Sequence, residues 1–202
     1  MSRGRSAYSV LAWWARLHSY RALAPFAVVW SVLMLLFGGI EVLEIGPIRL
    51  PASAPIAIML TFGGGFIVNY SMWLGTNVPI PNSRRYAAVR VIATVVVLIC
   101  ASAVTVVGVF VRDSDPMSSM RNLVFAFCAF YWTQRIAPSI YWLITATYLL
   151  AAMFFGMGDD DFMPWALPLV RGDSLPHLIF TGSLLILTLF GVAYRVPSIR
   201  SL

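Results

Sequence analysis

The sequence predicts an all-α, polytopic membrane protein with six transmembrane helices, preceded by an N-terminal amphipathic interfacial helix. Of the 202 residues, 60% are hydrophobic and only 11% are charged. One soluble core of this length could not bury so much apolar surface. The charges also fall between long uncharged segments, and a helix needs roughly 20 apolar residues to cross the hydrocarbon core. Residues 1–202 are therefore expected to form a single transmembrane domain.

The N-terminal segment, at about 6–21, is predicted to form the interfacial helix. Its apolar residues recur at a helical period, with arginines and serines on the opposite side. Paired tryptophans on the apolar face and arginines on the polar face suit a helix that lies in the headgroup plane. An ordinary basic flank with an aromatic belt is the alternative interpretation. The apolar positions are Val10, Trp13, Trp14, Leu17 and Tyr20.

Uncharged segments then predict the spans one after another. Prolines at both ends shorten the second segment, because proline breaks helices. The fourth is short and takes in Arg121, whose side chain is expected to snorkel towards the headgroups. Pro138 favours a turn after it, whereas a membrane position for Arg135 would reduce the count to five. The spans are predicted at about 22–40, 54–74, 90–111, 118–134, 137–157 and 175–194.

The distribution of arginine predicts the orientation. All 14 basic residues are arginines, and the chain has eight acidic residues. With the N-terminus in the cytoplasm, ten arginines lie inside, four lie outside and all eight acids lie outside. Because arginine in short loops is retained inside, both termini are predicted to be cytoplasmic. The net charge of +6 then reflects topology and an inner face suited to membrane lipids, so no nucleic acid partner is expected.

The search for catalytic, cofactor-binding and metal-ligating patterns finds none that is specific. Cys100 and Cys128 have no close-spaced thiol or histidine partners. The acids of "GDDD", together with Asp173 and His177, are interpreted as solvated loop residues rather than as a cation site. The chain lacks a glycine-rich phosphate loop that ends in Gly-Lys-Ser or Gly-Lys-Thr. It is therefore predicted not to be an enzyme and to hold no cofactor of its own.

Small and mildly polar residues stand out in the second span, in "TFGGGFIVNYS". Gly63, Gly64 and Gly65 would let helices approach closely, and Asn69 could hydrogen-bond across such a contact. The same residues could instead line a translocation path. Helix packing is the favoured interpretation, because glycine is common in membrane helices.

One outer segment, "FMPWALPLV", is apolar but too short to span the membrane. Pro164 and Pro168 exclude a long helix through it. A re-entrant segment that includes Pro164, Trp165 and Pro168 is predicted, with an apolar loop that covers the bundle as the equal alternative.

This layout resembles the membrane subunit of an ABC-2-type exporter. The common features are the amphipathic N-terminal helix, six spans with both ends inside, the basic inner loop "PNSRRYAAVR" and re-entrant structure between the last two spans. The stretches "RNLVFAFCAF" and "RIAPSIYWLITATYLLAAMFFG" also resemble small ABC permeases of actinobacteria. The resemblance implies an exporter permease in the bacterial cell membrane, with a homodimer or a sibling permease as its other half.

In that family the first inner loop docks on an ABC ATPase subunit, which binds and hydrolyses ATP. The resemblance therefore implies that Arg84, Arg85, Tyr86 and Arg90 contact such an ATPase. A non-transporting membrane scaffold or immunity-type protein, which merely binds a partner, is the alternative. A lipid-modifying enzyme is least favoured, because the inner side offers only His18 for catalysis.

Overall fold

The computed structural model describes six helices and one β-hairpin within residues 20–37, 42–45, 48–51, 53–74, 84–110, 116–155, 166 and 174–194. The helices are α1 (Tyr20–Phe37), α2 (Ser53–Leu74), α3 (Arg84–Phe110), α4 (Pro116–Ile136), α5 (Tyr141–Phe155) and α6 (Leu175–Tyr194). Each overlaps one of the six apolar segments, so the prediction of a helical fold is confirmed. Except for its last two residues, the predicted interfacial helix at 6–21 lies outside the described residues.

Two of the described helices could cross a membrane by length and composition. These candidate spans are Ala87–Val107 within α3 and Leu175–Tyr194, the whole of α6. Three further helices have shorter apolar stretches, at Ala27–Leu36, Ile58–Tyr70 and Tyr141–Ala152. Membrane insertion agrees with this finding, and the count of six spans stays a prediction.

A two-stranded hairpin between α1 and α2 corrects the purely helical prediction. Strand β1 (Val42–Ile45) pairs antiparallel with β2 (Ile48–Pro51). Glu44 lies directly opposite Arg49 in this register. The charges of this segment indicated only a break between two spans, so the hairpin was not predicted.

Helix α4 lies at the centre of the bundle. It packs against α2, α3, α5 and α6, and its contact with α2 is the largest. Leu123, Phe127 and Cys128 of α4 are fully buried in the main core cluster, beside Met34 of α1 and Val68 of α2. The helix predicted with least support from hydropathy is thus the one that the others surround.

A short turn joins α4 to α5. The Ala137 N–H donates to the Thr133 carbonyl at 2.8 Å, and the Ile140 N–H donates to the Ala137 carbonyl at 3.1 Å. These bonds close the end of α4 and reverse the chain through residues 138–140. The turn predicted from Pro138 is therefore confirmed, and α4 and α5 are separate helices.

Apolar side chains cover the outside of this bundle, whereas many polar side chains lie inside it. Exposed apolar residues include Val28 on α1, Ile92 on α3, Phe155 on α5 and Ile179 on α6. A soluble bundle places its polar residues outside. The buried polar and charged residues are Thr61, Asn69, Arg90, Thr94, Ser102, Thr105, Ser119, Arg121, Asn122, Gln134, Thr145, Thr181 and Thr188.

Candidate functional site

The residues expected to contact an ATPase begin helix α3. Arg84, Arg85 and Tyr86 are helical and directly precede the candidate span that starts at Ala87. Their side chains lie outside the described part of the chain. The basic segment is therefore continuous with α3 and is not a separate loop at these three positions.

Arg90 faces the bundle interior, so the prediction that it contacts a partner does not fit the structure. Its side chain is only 6% exposed. Its Nε donates to the Val192 carbonyl at 3.2 Å, and its Nη2 donates to the Ala193 carbonyl at 2.6 Å. These carbonyls end α6, where the helix itself supplies no N–H donor. Arg90 thus closes the C-terminus of α6, where a positive charge is favourable.

Aromatic and glycine contacts join α4 to the same end of α6. The Arg135 guanidinium carbon lies 3.9 Å from the centre of the Tyr131 ring, a cation–π contact. A Cβ added at Gly191 would lie 2.7 Å from the Tyr131 hydroxyl oxygen, so α6 approaches the ring closely. Arg90, Tyr131, Arg135 and Gly191 therefore lie close together, where the start of α3 meets the ends of α4 and α6.

The glycines of α2 divide into two groups. A Cβ added at Gly64 would lie 2.5 Å from the Trp30 ring, and one added at Gly65 would lie 2.6 Å from the Ala126 Cβ. Both separations are far below van der Waals contact, so these two positions admit only glycine without rearrangement. The geometry at Gly64 and Gly65 therefore favours helix packing over a translocation path.

Gly63 has a different surrounding. An added Cβ would meet the Trp30 ring at 3.5 Å, an ordinary contact distance. Gly63 lines an apolar groove of about 580 Å³ between α1 and α2, together with Met59, Phe66 and Tyr70. Of the four residues proposed for packing or for a path, it is the one that borders open space.

Asn69 makes a buried hydrogen bond to α4. Its Nδ2 donates to Gln134 Oε1 at 2.9 Å, and both side chains are buried. In apolar surroundings an unpaired amide is costly, so each side chain satisfies the other. Asn69 therefore belongs to the α2–α4 contact. Sequence reasoning missed Gln134, although an uncharged polar residue inside "FAFCAFYWTQ" was the available signal.

Arg121, which was expected to snorkel towards the headgroups, is buried in the bundle. Its side chain is 3% exposed. Its Nη2 donates to Ser118 Oγ at 3.3 Å and to Asn122 Oδ1 at 3.1 Å. The guanidinium therefore lies within the bundle, on the side of α4 that faces α6.

The predicted re-entrant segment "FMPWALPLV" lies almost entirely beyond the residues that the structure describes. Pro164, Trp165 and Pro168 of the predicted re-entrant segment are among those not described, as are the acids of "GDDD"; Ala166 is described and is buried. His177 Nδ1 lies 2.6 Å from Ser174 Oγ at the start of α6. In the described part of the chain, no three His, Cys, Asp or Glu side chains gather as metal ligands would.

Comparison of this chain with protein-family models, with curated proteins and with solved structures gives no match. The functional conclusions below rest on its residues and their geometry, together with the resemblance in layout.

Proposed function

We propose that all six helices cross a bacterial cell membrane and that both termini are cytoplasmic. The observation that supports this is the reversed distribution of polarity. Exposed apolar residues also occur on the three helices with shorter apolar stretches, such as Leu35 on α1, Met59 on α2 and Leu150 on α5. Lipid tails would cover these residues, while threonines, amides and arginines find partners inside.

Within that membrane protein, we propose the role of permease subunit in an ABC-2-type exporter driven by a separate ATPase. The continuity of α3 supports this role. One helix runs from Arg84 to Phe110, and Arg90 ties it to the end of α6. A partner bound at the first turn of α3 would therefore move α3 and α6 together. A second copy or a sibling permease would supply the other half of the path.

A non-transporting scaffold or immunity-type protein is the second candidate, and one observation favours it. Gly64, Gly65 and the Asn69–Gln134 bond hold α2 and α4 in close contact. A path between these two helices would have to separate them. In the exporter proposal the path lies between two permease copies instead, so the α2–α4 contact stays closed.

Replacing Arg84 and Arg85 together by lysine tests the exporter proposal. Lysine keeps the positive charge, and hence the orientation, but lacks the planar fork that binds carboxylates through two nitrogens. We expect normal membrane insertion, with roughly tenfold weaker co-purification of the ATPase and a matching loss of transport-linked ATP hydrolysis. Arg49→Lys, predicted on the opposite side of the membrane, is the matched control and should change neither.

Tyr86→Ala provides a second variant in the same turn. If this variant and the double lysine variant both retain the full complex and full activity, the basic turn acts only as an orientation signal. The scaffold would then be the better proposal.

A further inference from the structure

A cavity of about 240 Å³ lies between the N-terminal halves of α4 and α6. Val124 and Leu185 contribute apolar walls. Met117 and Met120, also in its lining, are 51% and 43% exposed, so the cavity opens on the outer surface of the bundle. Arg121 and Thr181 are the lining residues whose side chains could form hydrogen bonds with a ligand.

Thr181 is the residue that points to a ligand. It is 4% exposed, and its Oγ1 has no hydrogen-bond partner among the described residues. Other buried threonines of the bundle donate to the carbonyl four residues earlier: Thr94 at 2.8 Å, Thr105 at 2.9 Å and Thr188 at 2.7 Å. The Thr181 hydroxyl does not make this bond, although its helix offers the same type of acceptor. An acceptor inside the cavity would satisfy it.

Arg121 supplies a guanidinium to the same cavity. Its side chain is buried and donates to Ser118 and Asn122 through Nη2. A guanidinium has five N–H donors, so these bonds are compatible with a further one to a ligand. Its planar fork matches the oxygens of a phosphate. A hydroxyl and a guanidinium that line one cavity are suited to a phosphate group.

Gly182 keeps the space beside Thr181 open. Within the described part of the chain, a Cβ added there would meet nothing within 4 Å, whereas Cβ atoms at Gly64, Gly65 and Gly191 would collide with neighbours. Glycine is unfavourable inside a helix, and packing does not require it at this position. A larger side chain at Gly182 would extend into the cavity without displacing a packed atom.

We propose that this cavity binds an anionic glycerophospholipid. The phosphate contacts Arg121 and Thr181, and the glycerol and upper acyl chains lie along Met117, Met120 and Leu185. Arg121 and Thr181 lie about 8 and 9 Å along their helices from Pro116 and Leu175, at 1.5 Å per residue. In a spanning bundle that depth is close to the headgroups. The inference rests on the proposed membrane placement, and it is independent of any ATPase.

Native mass spectrometry of the purified chain tests the site with two lipids of identical acyl chains, phosphatidylglycerol and phosphatidylcholine. Both lipids carry the phosphate that Arg121 and Thr181 would contact, but only phosphatidylcholine places a quaternary ammonium near the Arg121 guanidinium. We expect the wild type to retain phosphatidylglycerol about tenfold more tightly, because the two cations repel each other. Thr181→Val removes the hydroxyl, and Gly182→Leu fills the cavity. Both should weaken the retention of phosphatidylglycerol by roughly three- to tenfold, since one removes a hydrogen bond to the phosphate and the other removes its space. Thr105→Val, at a hydroxyl bonded to its own helix, is the matched control and should leave the retention of phosphatidylglycerol unchanged.

Three outcomes would overturn the proposal. Equal retention of both lipids by the wild type would show that charge does not select the occupant. Unchanged retention of phosphatidylglycerol in both cavity variants would place the lipid elsewhere. Displacement of the lipid by soluble glycerol phosphate at similar concentration would indicate a site for a free anion. Whether the lysine variants lose ATPase binding or retain it bears only on the exporter proposal, and not on the lipid site.

Discussion

Gly65 faces the backbone of α4, where an added Cβ would lie 2.7 Å from the Phe127 amide nitrogen. Backbone cannot move aside as a flexible side chain can, so the two helices would have to separate. We expect Gly65→Ala to destabilise the bundle by about 1–3 kcal/mol, the usual cost of overpacking. Thermal unfolding of the detergent-solubilised protein would show this as a lower Tm.

Gly182→Ala is the control for that measurement, because its added Cβ meets no described atom within 4 Å. It should leave Tm unchanged or raise it slightly, since alanine favours helix. Equal Tm values for the two variants would show that glycine at 65 is not needed for close approach.

The Asn69–Gln134 pair allows a second prediction at the same scale. Either Asn69→Leu or Gln134→Leu leaves the other buried amide without its partner, whereas the double change removes both. We expect a coupling energy of about 0.6–2 kcal/mol in a double-mutant cycle of denaturant unfolding. Strict additivity of the two single changes would mean that the bond contributes nothing to the folded bundle.

At the scale of elements, Arg90 joins α3 to α6. Arg90→Lys keeps the charge but lacks the rigid pair of Nε and Nη2 donors, so it should hold the Val192 and Ala193 carbonyls less firmly. We expect amide hydrogen exchange in the last turn of α6 to accelerate roughly tenfold.

Arg85→Lys serves as the comparison for this third prediction, because it makes the same exchange earlier in α3. Its exchange profile in α6 should match that of the wild type. If both variants behave alike, the Arg90 bonds do not hold the end of α6.

The helices were predictable from sequence, but their buried faces were not. Uncharged length, prolines and the turn at Pro138 located all six helices within a few residues. In a spanning helix, lipid and core both favour apolar residues, so periodicity does not reveal which side faces inward. For this reason the burial of Arg90 and Arg121 was not predicted. Gln134 was recognisable as an uncharged polar residue, but nothing in the sequence paired it with Asn69, 65 positions away.

At the scale of the whole molecule, the central position of α4 constrains the topology. Four other helices pack around α4, and a short turn after Ile136 sends α5 back antiparallel to it. In the proposed placement, the neighbours of α4 shield this least hydrophobic of the six predicted spans from lipid. Such shielding would account for Arg121, Asn122 and Gln134 in α4, all of them buried.

The last prediction concerns the sides of the membrane on which the helix ends lie. Ser139, in the turn after α4, should be cytoplasmic, whereas Met117 and Leu175, at the starts of α4 and α6, should be outside. All three are exposed, so cysteines there are accessible to a charged maleimide. With Cys100 and Cys128 replaced by alanine, we expect Met117→Cys and Leu175→Cys to react on intact cells. Ser139→Cys should react only after permeabilisation.

The three positions separate the contributions of individual helices. If Met117 and Ser139 are labelled from the same side, α4 does not cross the membrane. If Ser139 and Leu175 are labelled from the same side, α5 does not cross it. The native cysteines provide the control: Cys128 is buried, and Cys100 is exposed on α3 within the apolar stretch Ala87–Val107. If lipid covers that stretch, a charged reagent should not label Cys100, although the isolated bundle leaves it exposed. Labelling of Cys100 in intact membranes would show that water reaches this face and would contradict the proposed placement of α3.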